Sequence, residues 1–387
     1  MKVMTAMYTM RRGGAYYRFI MLMESFWERQ CEVHCLSLTP IQIGYPGYHN
    51  HVIYLPFKMR NSLVAKLLVL ILFPSYSFLI GWREKIDLFV AFGSLYAFIL
   101  AIPKRVLRKP MVTLIRGNST FGLRMRDSSK SFLWLNKIIQ YLGLLSSDRI
   151  ITVNASIQED IIKRVGHKNI QVNVLLNDIP SMSISLQGDI FQARTQFGIP
   201  EGAKVLVTAG VISRGKNIET LIKCLPKIGM NNLLLLVAGD GSTKSDFYYQ
   251  KYLKKLTKAL GLDKRVIFTG WLEREKLWKV FLGADLFVLP SKSEGMPNSI
   301  LEALGCDLPC LGSKIPGIED ILHYEELMFH PLGEEALASK IRQLFCDEQY
   351  FQKIKGLCQE RKNAFIFDWK EIVFQTVTKG IPSATVN

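Results

Sequence analysis

The sequence predicts an α/β protein with two domains, each built on a parallel sheet covered by helices. Short apolar runs alternate with helix-like stretches along the chain, which is typical of such sheets. The chain has 387 residues, which exceeds the usual length of one compact domain and fits two. With 49% hydrophobic and 21% charged residues, its composition is that of a globular protein.

The first half contains short apolar runs that we predict as strands. They cover residues 1–8, 31–38, 87–91, 111–115 and 149–153. Helices are predicted at residues 14–29 and 156–165. The stretch around residues 173–182 marks the exit from this domain. We therefore predict an N-terminal domain over residues 1–183 and a second domain over residues 184–364.

The second half repeats the alternation of strands and helices. Strands are predicted at residues 204–209, 233–238, 266–268 and 284–289. Helices are predicted at residues 217–225, 247–260, 275–282 and 298–304. Glycine follows most of these strands, and ligands of open α/β sheets bind at the carboxyl ends of strands. Two such domains are expected to meet at a cleft.

Residues 291–317, SKSEGMPNSILEALGCDLPCLGSKIPG, contain two carboxylates separated by seven residues, Glu294 and Glu302. The first follows a predicted strand and the second lies in a predicted helix. A loop that ends at a helix N-terminus suits a phosphate. The loop residues proposed to contact it are Gly295, Met296, Pro297, Asn298 and Ser299. Alternatively, Ser299 and Glu302 form a capping box, and Glu294 is an ordinary loop carboxylate.

Two further glycine turns are candidates for phosphate contact, because glycine lets backbone N–H groups approach an anion closely. They are Gly13-Gly14 after the first strand and Gly210 to Lys216 after the strand at 204–209. A third turn, Gly239-Asp240-Gly241, follows the strand at 233–238. Each has a plain structural alternative. The first can be a simple strand–helix turn, Lys216 can be solvated, and Asp240 can cap its own turn.

The run SEGMPNSILEAL, with Gly305, Pro309 and Gly317 downstream, closely resembles the E-x7-E signature of family 4 glycosyltransferases. The resemblance spans most of the chain and is strongest over residues 204–317. It implies the GT-B architecture, in which two Rossmann-like domains face each other across a cleft. It also implies that the C-terminal helix, within residues 365–387, crosses back onto the N-terminal domain.

The resemblance implies retaining transfer of a hexosyl unit from a nucleoside diphosphate sugar to an acceptor, without a metal or other cofactor. Lys216 and Arg214 would neutralise the leaving diphosphate. Glu294 would hold hydroxyls of the donor sugar, and Glu302 those of the ribose. Donor-binding roles would also fall to the glycines of the three turns, which are Gly13, Gly14, Gly210, Gly239 and Gly241.

Two positions depart from the family pattern. Val211 stands where the family usually has Arg, and Arg214 is the candidate substitute. Arg116 stands where many members carry His, and we assign Arg116 and Asn118 to the acceptor side. These departures leave two alternatives open: a nucleotide-sugar epimerase-like enzyme, and a catalytically impaired nucleotide-sugar-binding protein of the same fold.

The net charge of +16 is concentrated in the first half, where residues 1–185 carry 23 basic and 10 acidic side chains. Such a charge favours an anionic membrane surface or another polyanion. No nucleic-acid-binding motif is present, so nucleic acid is not expected as a partner. The acceptor is therefore predicted to be a glycan or lipid-linked precursor of the cell envelope.

Residues 63–82, LVAKLLVLILFPSYSFLIGW, are strongly apolar. They predict either a buried core helix or an interfacial hairpin with basic flanks, and we favour the hairpin. Basic residues expected on the same surface are Lys58, Arg60, Arg83, Lys85, Lys104, Arg105, Arg108, Lys109, Arg124, Arg126 and Lys130. The start, MKVMTAMYTM, lacks the pattern of a signal peptide, and seven cysteines without zinc-site spacing indicate free thiols. We expect a cytoplasmic protein bound peripherally to the inner face of the cell membrane.

Overall fold

The computed structural model describes residues 1–8, 13–54, 63–117, 130–166, 170–180 and 190–381, with backbone only for 63–67 and 190–192. Contacts divide the chain into two units. The first comprises the described residues up to 117, then 130–176 and those from Asp368 onward. The second runs from Asn177 to Phe367. The predicted boundary after residue 183 lies outside the described residues.

The first unit is built on a parallel sheet of short strands. They are β1 (Lys2–Met7), β2 (Glu32–Ser37), β3 (Tyr48–Val52), β4 (Leu88–Phe92), β5 (Met111–Ile115), β6 (Arg149–Thr152) and β7 (Gln171–Val174). Their order is β3-β2-β1-β4-β5-β6-β7. Every residue of β4 and β5 is buried, as expected of central strands covered on both faces. The sequence prediction missed the two edge strands, β3 and β7, because they contain many polar residues.

The helices of the first unit fill the connections between these strands. They are α1 (Gly14–Trp27), α2 (Leu63–Arg83), α3 (Ser94–Leu107), α4 (Lys130–Leu145) and α5 (Ala155–Val165). Neighbouring helices pack in the order α2, α3, α4. Sequence reasoning missed α3 and α4, because their apolar residues do not keep to one face.

The prediction of a hairpin at residues 63–82 is wrong, because α2 is one continuous helix that includes Pro74. Val69 and Phe73 are buried in the core with strands β1, β2 and β4. Ile71 and Trp82, by contrast, are 66% and 68% exposed. The helix is thus half core and half surface. Among the described residues, no helix combines the length and apolarity needed to cross a membrane.

The second unit is also built on a parallel sheet. Its strands are β8 (Lys204–Ala209), β9 (Leu233–Ala238), β10 (Val266–Gly270), β11 (Leu286–Leu289), β12 (Cys310–Ser313) and β13 (Met328–Phe329). Their order is β10-β9-β8-β11-β12-β13. The strongly apolar strand β9 is buried along its whole length. Four of these strands were predicted, and the two short ones after residue 309 were not.

The helices of the second unit alternate with its strands and then follow one another. They are α6 (Ile190–Gln196), α7 (Ile218–Ile228), α8 (Lys244–Ala259), α9 (Arg274–Leu282), α10 (Asn298–Gly305), α11 (Pro316–Leu322), α12 (Glu334–Cys346) and α13 (Glu348–Ala364). Helix α8 begins three residues earlier than predicted, because Thr243 and Asp246 form a reciprocal capping box there.

The last helix, α14 (Trp369–Thr378), packs on the first unit and confirms the predicted crossing. The ring of Phe374 meets that of Phe26 edge to face at 5.8 Å. The guanidinium of the buried Arg18 lies 5.3 Å from the ring centroid of Trp369. Arg149 donates to the carbonyl oxygen of Thr376 at 2.8 Å. Apolar burial and charge-assisted bonds together fix the helix on α1 and β6.

Candidate functional site

The loops that follow β8, β9 and β11 lie at the carboxyl edge of the second sheet. Strand β8 has β9 on one side and β11 on the other, so the order of connection reverses between β8 and β11. In open α/β sheets, the crevice beside such a reversal is the usual ligand site. The predicted residues from Gly210 to Glu302 lie in these loops or directly after them.

Two glycine turns pack against each other at this edge. Gly210 follows β8 with a φ of +133° and Gly239 follows β9 with a φ of +150°. A Cβ atom on Gly239 would lie 1.9 Å from the carbonyl oxygen of Gly210, which is a severe steric clash for any side chain. Glycine is therefore required at Gly239. Asp240 accepts a bond from the N–H of Gly241 at 2.9 Å, which matches its self-capping alternative.

Lys216 and Glu294 form an ion pair between the loops of β8 and β11. The Nζ atom of Lys216 lies 2.7 Å from Oε1 of Glu294, and both side chains are largely buried. The hydroxyl of Ser291 donates to the same Oε1 at 2.6 Å. The N–H of Lys292 donates to the carbonyl of Gly215 at 2.8 Å and joins the two loops. Residues that are 78 positions apart are thus held in contact.

Lys216 owes its position to a short 3₁₀ turn, Arg214–Lys216, which ends in Asn217. Asn217 has a left-handed φ of +54°, and its amide nitrogen donates to the carbonyl of Pro331 at 2.8 Å. The Lys216 side chain then passes over Gly210, where a Cβ would stand 3.3 Å from Cε of the lysine. The missing side chain of Gly210 leaves room for this path.

Arg214 lies differently from Lys216. It is exposed, and its guanidinium lies 5.9 Å from the ring centroid of Tyr249. The Tyr249 hydroxyl donates to Glu219, which also pairs with Nζ of Lys292 at 3.3 Å. A second charged cluster therefore borders the Lys216–Glu294 pair, and Arg214 lies on its outer side.

Glu302 lies on α10, is 6% exposed and binds Arg274 of α9. Nε and a terminal nitrogen of Arg274 lie 3.0 and 2.9 Å from Oε1 of Glu302. The capping-box alternative for Ser299 and Glu302 is wrong, because Pro297 is the N-cap of α10 and no side chain caps it. Sequence reasoning missed Arg274, since LEREK at the start of α9 resembles an ordinary solvated helix end.

The loop between the two carboxylates is fixed by residues far from it in sequence. Asn177 is fully buried and donates from its side chain to Oδ1 of Asn298 at 2.9 Å. A Cβ on Gly317 would lie 2.2 Å from the carbonyl oxygen of Gly295, so the loop packs directly on the start of α11. Met296 is buried, and Pro297 leads into α10. No sequence pattern indicated Asn177.

The other predicted residues lie in the first unit. Gly13 is the N-cap of α1 and Gly14 its first residue. Arg116 follows β5 directly and is partly buried. Both places are at carboxyl ends of strands. Asn118 lies outside the described residues.

The second unit thus presents one group of loops with an ammonium group, two carboxylates and a helix N-terminus. The ammonium of Lys216 and the positive end of the α10 dipole attract an anion. The carboxylates of Glu294 and Glu302 are strong acceptors for hydroxyl groups. These groups together fit a ligand that carries both phosphate and several hydroxyls.

Comparison with known proteins supports this description. Residues 189–358 match the family described as glycosyl transferases group 1. The chain is 25% identical over 303 residues to an uncharacterized glycosyltransferase of Methanocaldococcus jannaschii, covering 76% of this chain and 75% of that protein. It is 24% identical to N-acetyl-alpha-D-glucosaminyl L-malate synthase of Bacillus anthracis, covering 73% and 71%.

Solved structures share the fold across nearly the whole chain. HepE of Anabaena, in complex with UDP and glucose, is similar with a TM-score of 0.76 and 19% identity, covering 98% of this chain and all of that one. WaaG, involved in lipopolysaccharide biosynthesis, is similar with a TM-score of 0.75 and 15% identity, covering 98% and 100%.

Proposed function

We propose that this chain is a glycosyltransferase of the family 4 type and that it transfers a hexosyl unit from a nucleoside diphosphate sugar with retention of configuration. Its two parallel-sheet domains and its solved relatives confirm the predicted GT-B class of fold. The observation that carries the proposal is the Lys216–Glu294 pair, 2.7 Å long, at the switch point of the second sheet.

The donor would bind along the loops of β8, β9 and β11. Lys216 and the N-terminus of α10 would neutralise the diphosphate, and Glu302 would accept hydroxyls of the ribose. The resemblance assigns sugar hydroxyls to Glu294. The Anabaena relative was solved with UDP and with UDP-glucose, which supports a donor of the same chemical class.

Stabilisation of the leaving group would be the main catalytic effect. As the bond between the anomeric carbon and the diphosphate oxygen breaks, negative charge grows on that oxygen beside Lys216. The acceptor hydroxyl would attack from the same face, and the departing phosphate would take its proton. Glu294 orients the ammonium of Lys216 before the donor arrives, because Ser291 and Lys216 both bind its Oε1.

Arg214 would supply the charge that the family carries at the position of Val211. Its place in the same short turn as Lys216 supports this role, and its exposure leaves it able to turn toward a diphosphate. Together, Lys216, Arg214 and the helix N-terminus would make a divalent ion unnecessary for the reaction.

The acceptor would be a lipid-linked or other cell-envelope glycan precursor at an anionic membrane. Helices α2, α3 and α4 are neighbours in the first unit and contain no Asp or Glu. Most of their exposed residues are apolar or basic, and Arg108 follows α3 directly. The exposed apolar and basic residues include Ile71, Leu79, Trp82, Arg83, Ile102, Arg105, Val106, Trp134 and Leu135. Two carboxylates border this surface, where Glu84 pairs with Arg83 and Asp148 pairs with Lys104. An apolar surface with an excess of basic residues favours an anionic bilayer.

The experiment that tests this function measures acceptor-dependent release of nucleoside diphosphate from a panel of nucleotide sugars. Nuclear magnetic resonance of the product then gives its anomeric configuration. Retention with transfer to a polyprenyl-linked acceptor is expected. Inversion would refute the retaining mechanism, and sugar isomerisation without release of diphosphate would indicate epimerisation.

A further inference from the structure

A cluster of histidines and one carboxylate lies on the edge of the first sheet, on strands β2 and β3. His34 pairs in register with His49, and Leu36 pairs with His51. Because side chains alternate along strands, Glu32, His34, His49 and His51 share one face of the sheet. The rings of His49 and His51 lie nearly parallel to that of His34, with centroids 4.8 and 5.3 Å away.

The potential metal-binding atoms of three of these residues lie close together. One ligand atom from each of Glu32, His34 and His49 lies within 4.8 Å of the others. His34 Nε2 is 3.9 Å from Oε2 of Glu32. That nitrogen is buried and has no hydrogen-bond partner among the described residues, on a side chain only 3% exposed. A buried polar atom without a partner is costly, which points to a ligand that is bound there.

The other nitrogen of His34 has a partner of the kind found behind metal ligands. His34 Nδ1 lies 3.0 Å from Nε2 of His51. If Nδ1 carries the proton and donates it, Nε2 keeps its lone pair and faces Glu32 and His49.

We propose that Glu32, His34 and His49 bind a divalent transition-metal ion, with Zn²⁺ the best match. Two imidazoles and one carboxylate form a ligand set that Zn²⁺ accepts with water in the fourth position. Tetrahedral ligands at about 2.0–2.1 Å stand roughly 3.3 Å apart, so a small closure of the cluster suffices. His49 is exposed and gives the ion an entry path.

Lys2 opposes the ion and provides a sharp test. Its Nζ lies 2.8 Å from Oε2 of Glu32, so the ammonium both repels a cation and competes for the carboxylate. Glu32 has a second oxygen that can remain with Lys2 when the metal binds. Removing the ammonium, as in Lys2→Met, should therefore strengthen binding. A bound ion would join the edge strand β3 to β2 and stabilise the sheet there.

The test is Zn²⁺ titration of the full-length, tag-free chain by calorimetry, together with Co²⁺ absorption spectra. All seven cysteines are free thiols and Cys346 is exposed, so Cys346→Ser serves as the background. One ion per chain and a tetrahedral Co²⁺ spectrum are expected. His34→Gln and His49→Gln should each weaken binding by at least about tenfold, and His51→Phe by about tenfold or more.

His330→Gln is the matched control, because His330 is exposed in the other unit and should leave binding unchanged. Circular dichroism checks that each variant is folded, and Glu32→Gln serves as a further ligand variant if His34→Gln does not fold. Absence of binding to the background protein would overturn the proposal. The proposal would also be overturned if His49→Gln and Glu32→Gln bound Zn²⁺ with the affinity of the background protein, or if Lys2→Met bound it more weakly.

Discussion

Two regions of the molecule, one in each unit, place their charged residues in different ways. At the carboxyl edge of the second sheet, cations and carboxylates are paired: Lys216 with Glu294, Arg274 with Glu302, and Lys292 with Glu219. On helices α2, α3 and α4 of the first unit, basic residues stand among exposed apolar ones with no acid in the same helices. The first arrangement positions groups for a specific ligand, whereas the second suits an extended anionic surface.

The strongest test of the paired arrangement is Lys216→Met, which removes the ammonium and keeps much of the side chain's length. Turnover should fall about 10²–10³-fold, the usual effect of losing one charge stabiliser in a transition state. Lys276→Met is the control, because Lys276 is exposed on α9. Steady-state kinetics with saturating acceptor checks this, and wild-type turnover would remove Lys216 from the mechanism.

Glu302→Gln separates donor binding from folding. A charged hydrogen bond is worth about 1.5–3 kcal/mol, so KM for the donor should rise about 10–100-fold. Glu275→Gln, exposed on α9, is the control.

Arg274→Gln should act differently, because it removes the guanidinium that binds the buried carboxylate of Glu302. We expect the free energy of unfolding to fall by about 1–3 kcal/mol. Urea unfolding measures this. If Arg274→Gln leaves stability unchanged, the pair does not hold α9 and α10 together.

The basic and apolar surface of α2, α3 and α4 is tested with the double variant Arg105→Gln/Arg108→Gln. Each basic residue near an anionic membrane contributes about 1 kcal/mol, so vesicle affinity should fall about 30-fold at low salt. Lys251→Gln/Lys255→Gln on α8 removes the same charge from the second unit and should have little effect. Flotation with anionic vesicles measures this, and an equal loss in both variants would reject a surface confined to the first unit.

The smallest expected effect belongs to Arg214→Met. Because Arg214 is exposed and beside Tyr249, its contribution is screened by water. Donor affinity should fall by about fivefold, since an exposed charge pair contributes up to about 1 kcal/mol. Isothermal titration with the nucleoside diphosphate checks this, and unchanged affinity would leave Val211 without a substitute.

Much of the fold followed from the sequence, because buried parallel strands such as β4, β5 and β9 are continuous apolar runs. The polar edge strand β3 gave no such signal. In α2, the central Pro74 suggested a hairpin, but the packing of Val69 and Phe73 in the core keeps the helix continuous.

The site was only partly predictable. Glycines and carboxylates in local motifs pointed to Lys216, Glu294 and Glu302. Arg274 and Asn177 were not predicted, because they act through contacts with residues 28 and 121 positions away. Such pairings are set by the meeting of distant loops, and one sequence carries no sign of them.

The central claim is that the second unit binds a nucleoside diphosphate sugar through Lys216 and Glu302. Thermal shift of the wild-type chain, Lys216→Met and Glu302→Gln against a panel of nucleotide sugars tests it most directly, since a ligand that binds the native state raises Tm. The account predicts that at least one nucleotide sugar raises Tm of the wild type and that both variants lose most of this shift. No shift with any member of the panel, or equal shifts in all three proteins, would contradict it.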